Sequence, residues 1–299
     1  MTRRLGVAIS TVVVAFATSL MPLGPGTASG APTVACGQAL SDNEVRRITE
    51  LSDTADQHES TPLARLDGAI ADLRSITEIL TDHGDRRGLF AVGLYSVERD
   101  AVTPLQHREN AFEHPRWAPV ISLALLNRFL DALHAEFTGE TVPPQWQRYF
   151  DLTRDCSASP ARTAMVGYNA HLTVDLAYAI ADARTAPAQA RDYFTIVDTI
   201  AVHGDSIVND TTAAYGPAAD LGPLFRFYFV GEGLDRLVGA GVATDPMLRA
   251  ADIGYNVLTF TNGLNLQNPA TAPGARNNIT ALWLTADEAF IALTELDLL

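Results

Sequence analysis

Apolar residues recur along this chain at helical spacing and almost nowhere alternate. Ser41-Asp42-Asn43-Glu44 has the form of a capping box and predicts a helix through Leu51. Thr61-Pro62, a cap followed by proline at the first helical position, opens a longer one. Leu63, Leu66, Ile70, Leu73, Ile76, Ile79 and Leu80 give that helix its apolar stripe, and Gly84 suits a left-handed stop. The stretch from Gly88 to Val102 fits either a helix or a short extended piece, and Pro104 is expected to end it. Val120, Leu123, Leu126, Leu130 and Leu133 predict a strong helix from Trp117 to Phe137, closed by Gly139. Pro143-Pro144 opens the next, with Trp146, Tyr149, Phe150 and Leu152.

A central helix is predicted from Pro160 to about Arg184. The next begins at Pro187, with Tyr193, Ile196, Val197, Ile200 and Val208 on one broad face. Asp220 to Val238 reads as a strongly apolar helix, and Asp245-Pro246 starts another through about Leu264. Asn265 to Asn278 has the composition of a loop, and a last helix is expected from about Ile279. No hairpin turn joins alternating runs, no strand–helix–strand rhythm appears, and no internal repeat has a fixed period. The expectation is an all-α fold, a single-domain bundle of about eight to ten helices over residues 32–299, with no linker-like stretch dividing it.

The first 31 residues carry a different pattern. Arg3 and Arg4 precede an uncharged apolar run from Leu5 to Leu20, then Pro and Gly, then Thr27-Ala28-Ser29-Gly30-Ala31. That order predicts a cleaved secretory signal and a secreted product, since the run is short for a membrane span. No later segment is apolar enough to cross a bilayer, so no integral membrane segment is expected after signal removal. Two cysteines, Cys36 and Cys156, are expected to pair in an exported protein. The chain-entropy model gives such a long loop about 4–5 kcal/mol. The alternative, lipidation of Cys36, is poorly served by Thr33-Val34-Ala35.

Composition removes several chemistries. All 21 basic residues are arginines, so Schiff-base catalysis and a phosphate-loop lysine are excluded. The net charge of −14 argues against nucleic acid as a partner. There is no His-Glu-x-x-His, no Cys-x-x-Cys and no Gly-x-Ser-x-Gly.

What remains lies on the central helix. His171 and Asp175 stand four residues apart, on one stripe, with Tyr168, Asn169 and Thr173 nearby. Asp175 can fix the His171 tautomer and leave the other ring nitrogen for a ligand, a metal or a proton. The plainer reading is a polar pair fastening two helices. On the following helix, Asp192, Thr199 and His203 share one stripe, and Asp198 and Asp205 another. Antiparallel packing brings Asp198 or His203 toward His171 and Asp175, a His/carboxylate set for a divalent metal. His203-Gly204 is equally readable as a helix end. His107, Glu109, Glu113 and His114 form a polar cluster that is either a solvated loop or a lid.

The run Asn169-Ala170-His171-Leu172-x-x-Asp175-Leu176, followed by Asp192-Tyr193-Phe194-x-x-Val197, resembles an uncharacterised family of bacterial, often exported helical proteins, domain of unknown function 5995. Trp117–Phe137 and Trp283–Ala289 match that family's upstream aromatic helix and late tryptophan helix. The chain departs at Asp198, where the family tends to have asparagine. The resemblance implies a helical fold centred on His171 and Asp175 and carries no reaction. Two functions are therefore expected in competition. One is an exported hydrolase with His171 as general base or metal ligand and Asp175 orienting it. The other is a non-catalytic protein that encloses a small molecule or lipid, with the same pair as its polar anchor. A third reading leaves the pair as core fasteners.

Overall fold

The computed structural model describes residues 34–222 and 245–295, and among them every regular element is helical. Local chemistry sets many of the ends. The Ser41 hydroxyl accepts from the Glu44 N–H and the Glu44 carboxylate accepts from the Ser41 N–H, closing the expected box on α1 (Asp42–Leu51). Thr61 caps α2 (Pro62–Asp82), and Gly84 just beyond it has φ +57°, a conformation costly for any residue with a Cβ.

The stretch after Gly88 is helical. It forms the almost wholly buried α3 (Gly88–Val97), a π-helical turn at Glu98–Val102, and α4 (Thr103–Gln106). Pro104 therefore does not end the helix. It sits in the first turn of α4, and the wider π turn before it relieves the ring's clash with the carbonyl four residues back. Next come α5 (Ala118–Thr138), stopped by Gly139 in the left-handed region, and α6 (Pro144–Arg154). Cys36 and Cys156 form a disulfide with a Cα–Cα distance of 5.5 Å. The bridge holds residue 36 against the end of α6, where its N–H also donates to the Thr153 carbonyl.

The central rod begins as α7 (Pro160–Asn169), widens into a π turn at Ala170–Asp175, and continues as α8 (Leu176–Asp182). The helix expected from Pro187 through Val208 is broken at His203 into α9 (Ala190–Val202) and α10 (Gly204–Tyr215). The last pair is α11 (Asp245–Leu266) and α12 (Ala272–Glu295). The loop predicted up to Asn278 is thus much shorter. Pro273 stands in the first turn of α12, where its missing N–H is harmless. The signal segment and residues 223–238 of the apolar stretch lie outside the described residues. No described helix is long and apolar enough to cross a membrane.

The core gathers around Phe90 of α3. The rings of Phe129, Trp146 and Tyr168 meet it edge-on at 4.9, 5.1 and 5.1 Å between centroids, the geometry favoured by aromatic quadrupoles. Such closeness needs Gly167, since a Cβ there would stand 2.9 Å from the Phe90 Cβ. Around this centre α10 packs on α3, α11 on α8, and α12 on α7 and the π turn of the rod. That π turn is consequently held from several sides.

Candidate functional site

The six residues Ala170–Asp175 carry the polar motif, and all but Leu172 are buried. A π turn bonds each residue to the fifth along rather than the fourth, which re-aims the side chains it carries. His171 points into the aromatic core. Its ring centroid lies 5.1 Å from that of Phe90 and 6.4 Å from that of Trp146, and the residue is 4% exposed. Its Nδ1 is 3.7 Å from Asp175 Oδ2, beyond hydrogen-bonding reach, and has no hydrogen-bond partner. Burial pushes the phenols of Tyr149 and Tyr168, both packed on Phe90, well above their usual range.

Asp175 is 1% exposed and is served from α6 rather than by the histidine. Gln145 Nε2 donates to its Oδ1 at 3.1 Å and Trp146 Nε1 to its Oδ2 at 2.8 Å. Both donors lie in the first turn of α6, directly after Pro143-Pro144. A second polar chain runs inward from α12. Asn169 donates to the Trp283 carbonyl, Thr173 donates to Asn169 Oδ1, and the Thr173 and Tyr255 hydroxyls meet.

The rod separates two clefts. One, of about 430 Å³, has Asp175 in its wall together with Gln145, Arg128, Asp131, Tyr178 and Trp283, and an apolar part that includes Val174 and Ile279. Arg128 stands with its guanidinium carbon 5.0 Å from the centre of the Tyr178 ring and donates to Asp182. The exposed Asp131 accepts from the Thr54 hydroxyl. The other cleft, of about 60 Å³, is apolar. Leu172 and Leu176 face it, opposite Ile121, Tyr193, Ile196 and Ile200.

The remaining predicted residues do not join His171 and Asp175. Asp198 is exposed on α9. His203 Nδ1 lies 2.8 Å from the Thr199 carbonyl at the end of its own helix, the favourable electrostatics of a helix terminus. The set His171, Asp175, Asp198 and His203 is therefore not assembled as a metal centre. Among the described residues no three His, Cys, Asp or Glu side chains converge in a way that could hold a metal ion. α9 ends at Val202 and His203 is the junction to α10, while Asp198 lies on the exposed face of α9, a face that its spacing alone did not reveal. Asp192 pins the polar loop to α9 instead. Its carboxylate accepts from the Glu113 and His114 backbone N–H groups, and His114 Nδ1 lies 3.0 Å away. His107 of the same loop pairs with Asp67.

Gln145, Trp146, Arg128, Asp131, Tyr178 and Trp283 were not singled out from the sequence. Arg128 and Asp131 were legible only as polar positions on an otherwise apolar helix, and the α6 donors only as the first turn after a proline pair. No curated protein and no solved structure matches the chain. A family model does match, over residues 66–240, more than half of the chain and the whole of the rod with its His171–Asp175 turn. On that match the chain belongs to a family of unknown function (DUF5995).

Proposed function

We propose that this chain is a binding protein for a small organic cation, taken into the cleft that Asp175 walls. One observation carries the reading. Asp175 is a buried carboxylate whose hydrogen-bond donors, Gln145 and Trp146, are both neutral. A carboxylate taken out of water is stabilised by a countercharge, and the open side of the cleft is where one can enter. Trp283 adds a ring surface of the kind that attracts organic cations. The cleft's volume falls in the range of about 300–1,000 Å³ typical of small-molecule sites.

The competing expectations have less behind them. A general base needs a ring that a substrate can reach, and His171, packed against Phe90 and Trp146, lines neither of the two clefts. A lipid needs far more room than the apolar cleft of about 60 Å³. We also propose that the chain is exported, on the strength of its amino-terminal pattern and the Cys36–Cys156 bridge.

The test is a thermal-shift and calorimetric titration of the purified chain with tetramethylammonium, choline, putrescine and agmatine. Saturable stabilisation by at least one of them is expected, about 2.7 kcal/mol at a hundredfold excess over Kd. Asp175→Asn, which keeps the shape and removes the charge, should abolish it. If none of the amines binds at millimolar concentration, or the Asn variant binds as well as the wild type, the reading fails.

A further inference from the structure

The cleft offers more than a carboxylate. Arg128 has one terminal nitrogen on Asp182, while its Nε is buried with no hydrogen-bond partner. Trp283 Nε1, on the same cleft's wall, is likewise buried and without a partner. A buried donor without an acceptor is costly, and in native structures such groups ask for an explanation. Here they belong to two residues of one cleft, on α5 and α12, whereas Asp175 belongs to the rod. The guanidinium is also held ready, over the Tyr178 ring and against Asp182. A planar anion presents two oxygens, which is what a guanidinium edge and an indole N–H can share after small side-chain adjustments. The same cleft carries an apolar strip in its wall, at Val174 and Ile279 with Pro143 and Pro144.

We infer that the ligand is a zwitterion, a free α-amino acid with an apolar side chain. Its ammonium group is held by Asp175, its carboxylate is received by Arg128 and Trp283, and its side chain lies along the strip. This rests on the cation-binding reading above and adds the anionic half.

The experiment uses the whole chain and three matched sets of probes: apolar L-amino acids, their amides, which keep the ammonium and lose the carboxylate, and their N-acetyl derivatives, which do the opposite. At least one amino acid is expected to bind more than tenfold tighter than either derivative. Arg128→Gln should erase the preference for the acid over the amide, and Trp283→Phe, which retains a ring and removes the N–H, should reduce it. If the amides bind as tightly as the acids, the anionic half is wrong and the cation reading survives. If no amino acid binds while choline or putrescine does, the zwitterion is wrong and the cation reading again survives. If nothing in either panel binds, both are overturned. The wild-type panel decides by itself should either variant fail to fold.

Discussion

Among the described residues two π-helical turns widen the helices, Glu98–Val102 and Ala170–Asp175, and each holds a buried carboxylate. The two carboxylates are served very differently. Asp175 receives an amide and an indole N–H from α6 and borders a cleft. Glu98 is 5% exposed, its Oε2 has no hydrogen-bond partner, and burial pushes its carboxyl up to about 8. The same backbone device therefore yields two electrostatic results. A wide turn can place an acid inside a helical protein, and the donors that meet the acid there are brought by another helix or not brought at all. Asp175 combines two donors from α6 with a cleft beside it, which is why the functional reading rests on it and not on Glu98.

That contrast can be broken in three places. The largest effect is expected from Asp175→Ala. It leaves the Gln145 and Trp146 donors unmatched inside the protein and opens a void, for a loss of about 4 kcal/mol in urea unfolding. A change below about 1 kcal/mol would show that those two bonds do not hold the turn. Glu98→Gln should act in the opposite sense, and only above about pH 4.5. Glu98 binds its proton more tightly folded than unfolded, so it lowers stability as pH rises from about 4.5 to about 8 and by a constant amount above that. The amide variant should match the wild type at pH 4 and exceed it by a few kcal/mol at pH 9. Equal slopes of stability against pH for the two proteins would remove the distinction between the turns. The smallest effect is expected from His171→Phe, under about 1.5 kcal/mol, because the ring's packing on Phe90 is kept and an unpartnered nitrogen is lost. Destabilisation by several kcal/mol would instead mean that His171 carries the countercharge of Asp175, and a cation in the cleft would have no charge left to answer.

Much of the architecture was legible because helix ends are chemical. Ser41 with Glu44, Thr61 with Pro62, and Gly139 each announced a boundary through a bond or a backbone conformation that few other residues supply. The cysteine pairing was legible because only one intramolecular pairing of two residues exists. The π turns were not. One extra residue in a turn barely disturbs the apolar period, and residues four apart remain neighbours in either kind of helix, so the His171–Asp175 spacing looked the same. The start of α12 was missed because Asn, Pro and Gly dominate residues 265–278, while Pro273 is in fact compatible with a first turn. At the site, the anchor Asp175 was found and its surroundings were not. Gln145 and Trp146 lie about thirty residues away, and Trp283 lies beyond a hundred. Distances of that length along the chain are set by packing among helices, which periodicity in a single helix does not report.

The Cys36–Cys156 bridge has a mechanical side. It joins two points 120 positions apart, so α1 through α6 hang within one covalent ring. Tension applied between the two chain ends passes through sulfur and bypasses everything inside that ring. A pulling experiment should therefore extend only the segments outside it, and adding a reductant should release a further length of about 120 residues. Against such a load, that closed ring is a shield for the part of the molecule that contains Phe90.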